Sequence, residues 1–73
     1  MTGVELAQTI ADRLGLLDGA RQLVVLDSLM IVDFVTQLES DTGLVVPTAE
    51  LTEKSFGSLE DIAALLKRIG YGA

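Results

Sequence analysis

Nothing in this chain can staple it together. Its 73 residues hold no cysteine and no histidine, so disulfides and thiolate metal sites are excluded and the commonest metal ligand is missing. A chain this short is one domain, near the size at which a single core is only marginally stabilising. Its fold must therefore rest on hydrophobic packing, and 49% of the residues are apolar. The lack of histidine also removes the usual general base near neutral pH.

Three segments carry the periodicity of amphipathic helices. The first starts at Thr2, where Thr2 and Glu5 form a T-x-x-E capping box, and carries Ala7, Ile10, Ala11 and Leu14 at i, i+3, i+4, i+7 before Gly15 stops it. The second spans about Ser28 to Ser40, with Ile31, Phe34, Val35 and Leu38 as its stripe and Gly43 shortly after its end. The last starts at Ser58, with Asp61 as a weaker form of the same box. Leu59, Ile62, Ala63 and Leu66 line it, Leu65 and Ile69 extend the stripe, and Gly70 closes it. Between the last two, Pro47 to Phe56 has room for a short helical turn or two. Leu23–Leu26 and Leu44–Val46 are too short to pair into a sheet. The long connection from Gly15 to Asp27 is rich in Leu and Val, which argues that it packs over the core. No internal repeat or low-complexity segment is present.

Ser28 is the residue on which function turns. It stands where a polar break gives way to the second helix. A serine there has its hydroxyl in the open, beside unpaired backbone N–H groups and the positive end of the helix dipole. An anion attached to that hydroxyl is well placed. If the stripe of the second helix faces inward, Leu29 lies on the opposite side, with Met30 and Val32 on the flanks and Asp33 and Gln37 at the rim. That pattern suits a transient docking site.

Charge points the same way. From Gln22 to Glu53 there is no Lys or Arg, while Asp27, Asp33, Glu39, Asp41, Glu50 and Glu53 all fall there and equal the whole net charge of −6. Such a surface steers basic protein partners and repels nucleic acid. The longest apolar run, Ile62 to Leu66, is 5 residues, far below the about 20 a membrane helix needs. No basic region followed by an apolar stretch opens the chain, so no signal peptide is expected and the expected location is the cytoplasm.

The register Asp27-Ser28-Leu29, Val32, Val35, Leu38-Glu39, Gly43 and Val46-Pro47, with Glu53, Phe56, Ile62 and Leu66 beyond it, resembles the acyl and peptidyl carrier proteins over nearly the whole chain. The resemblance implies an all-α fold: residues 1–73 as a single carrier domain, a small four-helix bundle with a long first loop and a short third helix. It implies that Ser28 receives 4′-phosphopantetheine from coenzyme A through a separate phosphopantetheinyl transferase. Acyl or aminoacyl groups then ride on the arm as thioesters, and the chain itself is not an enzyme. Asp27 is implied to help place the transferase and its metal; the chain supplies no metal site of its own. Leu29, Met30, Val32, Asp33 and the short third helix around Phe56 are implied to contact loading enzymes, acyltransferases or synthases. The carrier is expected as a monomer in transient complexes.

The family often has glycine shortly before the Asp-Ser pair, whereas Val24, Val25 and Leu26 stand here. This bulkier approach, and a second helix with only Asp33 and Glu39 as acids, is closer to the free-standing D-alanyl and aminoacyl carriers. It favours an amino-acid-derived or specialised polyketide cargo, as in polyketide, nonribosomal peptide or antibiotic biosynthesis. The start at Met1 and the end just after Gly70 are those expected of a discrete carrier. Whether an acyl chain hides between the helices is left open: the apolar interior allows it, and a polar aminoacyl group favours solvent. The competing account is an unmodified acidic helical adaptor. An enzyme would need Lys54 or Lys67 brought to Ser28.

Overall fold

Thr2 sets the first helix. Its Oγ1 accepts the Glu5 amide N–H at 3.1 Å while the Glu5 carboxylate accepts the Thr2 N–H at 2.8 Å, the reciprocal box the sequence predicts. The computed structural model describes residues 1–72, and in it α1 runs Gly3–Arg13. Helix α2 is Ser28–Thr42, a 3₁₀ turn is Thr48–Glu50, and α3 is Leu59–Arg68. Gly43, at φ 72°, ends α2 in the left-handed conformation that glycine adopts without a side-chain penalty. Ser58 caps α3 by accepting the Asp61 N–H at 3.0 Å; the return bond that would complete a box is not formed among the described residues.

The helices bury the predicted faces. Ala7, Ile10 and Ala11 of α1, Ile31, Phe34 and Leu38 of α2, and Leu59, Ile62, Leu65 and Leu66 of α3 form one core. Leu14, Val35, Ala63 and Ile69 are half-buried at its margin. Helix α1 packs chiefly on α3 and more lightly on α2. At Gly3 the approach is close: a Cβ there would lie 3.3 Å from the Ala63 Cα and Cβ. The far end of α1 reaches α2 through Arg13, whose Nη1 donates to Gln37 at 2.9 Å and pairs with Asp41 at 3.2 Å.

The long first loop closes over this core, as its composition suggests. Leu17 and Leu23 form an isolated antiparallel bridge, and the Val24 N–H donates to the Leu16 carbonyl at 2.9 Å. The Asp18 carboxylate closes the tip by accepting the Ala20 and Gln22 N–H groups at 2.8 and 3.0 Å. Leu16 and Leu26 are buried. Val25 departs from the expectation: it is 94% exposed.

The expected four-helix bundle with a short third helix is corrected to three α-helices and one 3₁₀ turn among the described residues. The segment after Pro47 winds once and then bends. Thr52 Oγ1 accepts the Ser55 N–H at 3.2 Å, and Ser55 Oγ donates to Glu50 at 3.0 Å. These local side-chain bonds compete with a helical ladder. Residues 53–56 form turns, and Phe56 drops from them into the core.

Candidate functional site

The residues that lead up to Ser28 alternate in burial. Val24 is half-buried, Val25 exposed and Leu26 buried, so Asp27 comes out to solvent. Asp27 has extended backbone angles, φ −85° and ψ 178°, and its Oδ1 accepts the Met30 N–H at 2.9 Å. Its carbonyl accepts the Ile31 N–H at 3.0 Å. Asp27 is therefore the N-cap of α2, and Ser28 is its first residue. Ser28 does not cap the helix: its side chain is exposed and its hydroxyl makes no hydrogen bond among the described residues.

This geometry fits a phosphodiester. The helix cannot partner the N–H groups of Ser28 and Leu29, which lie at the positive end of the α2 dipole. The second Asp27 oxygen, Oδ2, has no hydrogen-bond partner among the described residues. Lys54 and Lys67 line two separate grooves, neither of which includes Ser28.

A family model described as the phosphopantetheine attachment site matches residues 4–66. The chain belongs to that family. Its members carry 4′-phosphopantetheine bound covalently, and this chain is accordingly a phosphopantetheine-dependent carrier protein. Carrier domains of this family are generally non-catalytic and work with a phosphopantetheinyl transferase and partner enzymes. No curated protein and no solved structure matches the chain. No helix among the described residues is long and apolar enough to cross a membrane.

The surface beside Ser28 is partly as expected. Leu29 is 77% and Val32 53% exposed, Asp33 is exposed, and Met30 is half-buried. Phe56 is the exception. It is 2% exposed and meets Phe34 edge-on with ring centroids 6.0 Å apart, so its ring belongs to the core and not to a contact face. Val25 takes an exposed place that sequence reasoning missed. The signal was its alternation with Val24 and Leu26, hidden because all three residues are apolar.

The acidic surface is also reshaped. Asp41 is paired with Arg13, and the Glu39 carboxylate accepts the Val46 N–H at 2.8 Å. Arg68 donates two hydrogen bonds to Glu50, at 2.9 and 3.0 Å. Those bonds, with the one from Ser55, hold the Glu50 carboxyl below the usual glutamate range, and Glu50 in turn raises the Arg68 guanidinium. Outward negative charge near Ser28 thus comes from Asp27 and Asp33.

Proposed function

We propose that the Ser28 Oγ is the attachment point of 4′-phosphopantetheine, and that residues 1–73 act as a single carrier domain passing acyl or aminoacyl thioesters between enzymes. The observation that carries this is the exposed, unengaged hydroxyl on the first residue of α2, left free because Asp27 does the capping. When bound, the group supplies the terminal thiol that a chain without cysteine lacks. Tethering keeps each intermediate at high effective concentration for whichever enzyme has docked.

The chain's own residues divide the remaining work. Asp27 orients the helix start through Oδ1 and keeps Oδ2 for the transferase and its metal. Leu29, Val32 and the edge of Met30 give an apolar contact, and Asp33 adds a charge that favours basic partners. Such a contact is small, and it suits complexes that must form and break in series. The bulky Val24-Val25-Leu26 approach favours the aminoacyl and D-alanyl type of carrier. The cargo is then amino-acid-derived or a specialised polyketide, handled in natural-product assembly or aminoacyl transfer by a cytoplasmic monomer.

Intact mass after incubation with coenzyme A and a broad-specificity phosphopantetheinyl transferase tests the reading. The chain should gain one phosphopantetheine, and Ser28→Ala none. No gain from a folded sample leaves the unmodified adaptor as the better account.

A further inference from the structure

A cargo hidden between the helices needs a cleft leading from the first turn of α2 into the core. In this chain that interior is filled by two aromatic rings. Phe34 of α2 is fully buried, Phe56 is 2% exposed, and their planes meet at 67°. Leu38, Ile62, Leu65 and Leu66, all at 0% exposure, belong to the same cluster. Interiors packed to this degree accept added groups only by moving side chains.

The segment that carries Phe56 is held in place. Ser55, its neighbour, is 8% exposed and donates to Glu50, which Arg68 grips from the end of α3. Two surface grooves offer no substitute for an internal cleft. One, of about 480 Å³, is lined by Glu50, Lys54, Asp61 and Arg68 among others. The other, of about 440 Å³, lies between the start of α1 and the end of α3. Neither includes a residue of α2, and the charged lining of the first is unsuited to an alkyl chain.

We infer that Phe34 and Phe56 form a plug that keeps cargo out of the core, so that this carrier takes short or polar groups, aminoacyl groups above all, and holds them in solvent. The inference rests on attachment at Ser28. A long alkyl chain forfeits its burial free energy on such a carrier, methylene by methylene. A polar aminoacyl group loses nothing by staying in water.

The test attaches hydrolysis-resistant octanoyl and alanyl pantetheine analogues to Ser28 and follows three readouts: intact mass, the thermal unfolding midpoint, and the methyl resonances of Leu38, Ile62 and Leu66. Both loaded forms should unfold at the midpoint of the form bearing the bare arm, with core resonances unmoved. In Phe56→Leu, which shortens the plug while keeping an apolar side chain, octanoyl should raise the midpoint and alanyl should not. An octanoyl-dependent rise of several degrees in the parent, with shifted core methyls, overturns the inference and leaves the carrier reading intact. A folded Phe56→Leu that gains nothing from octanoyl removes the plug role from these rings. A parent that takes no arm sinks both readings, and mass shows this before cargo is considered. Should Phe56→Leu fail to fold, the parent comparison decides alone.

Discussion

Asp27 accepts the Met30 amide at 2.9 Å, and this one bond separates holding the helix from presenting the hydroxyl. Two polar residues meet at the start of α2, and the first takes the structural task. Asp27→Ala should therefore lower stability by about 1 kcal/mol, the usual cost of losing an N-cap, while Asp27→Asn, an equally good cap, stays near the parent. Ser28→Ala should remain within about 0.5 kcal/mol of the parent, as for an exposed residue without partners. Denaturant midpoints for the three variants check this. The assignment fails if Ser28→Ala costs as much as Asp27→Ala.

Asp27→Asn also divides two contributions to loading. It keeps the cap and removes the charge that Asp27 is proposed to offer the transferase and its metal. The expected result is an unchanged midpoint with a loading rate reduced about tenfold or more, the scale of one lost charge-assisted contact. Equal loading by the two proteins would confine Asp27 to capping.

Leu29 and Val32 are exposed and support little of the core. Leu29→Ala and Val32→Ala should leave the thermal midpoint nearly unchanged and raise the transferase KM about tenfold, as for a residue at the centre of a contact. A fall in kcat with KM unchanged would place these side chains outside the docking face.

The Phe34 ring has the opposite role. Phe34→Ala should cost about 3–5 kcal/mol through lost burial and an unfilled cavity. That is comparable to the whole stability of a domain this size. Far-ultraviolet circular dichroism should show a largely unfolded chain at room temperature; a native-like spectrum with a cooperative melt would contradict the packing described.

Acid should loosen the segment before α3. Because Arg68, and then Ser55, hold the Glu50 carboxyl low, the folded chain binds that proton more weakly than the unfolded chain. The contribution is present above the unfolded glutamate value and fades as pH falls through the lowered folded value. Glu5, lowered by its bonds with Thr2, adds in the same direction. Glu50→Gln should be less stable than the parent at neutral pH, and the gap should close on acidification. A gap that is constant with pH would rule the pair out as its source.

The stripes of the three helices, the Thr2–Glu5 box and the Gly43 stop were legible because each depends on residues within one or two turns. The place of Ser28 at the start of α2 was legible for the same reason. What escaped depends on contacts that spacing does not encode. Asp and Ser cap equally well, so which of Asp27 and Ser28 does so is settled by the extended backbone at Asp27. Phe56 lies in a segment without periodicity, and its inward turn follows from Ser55, Glu50 and the distant Arg68. Three acids of the middle stretch looked free in the sequence but are engaged by Arg13, Arg68 and the Val46 amide.

The two ends of α2 are secured very differently. Arg13 clasps its far half at Gln37 and Asp41, and Glu39 ties it to the chain beyond Gly43. From Ser28 to Asp33, by contrast, no side chain makes a hydrogen bond among the described residues. The helix is tied by polar bonds at the rear, while its first turns are held by the Asp27 cap and by Ile31 in the core and leave Ser28, Leu29 and Asp33 open to solvent. With Ser28 as the proposed attachment point, partners that engage this end can exchange while the ties at Gln37, Glu39 and Asp41 stay in place.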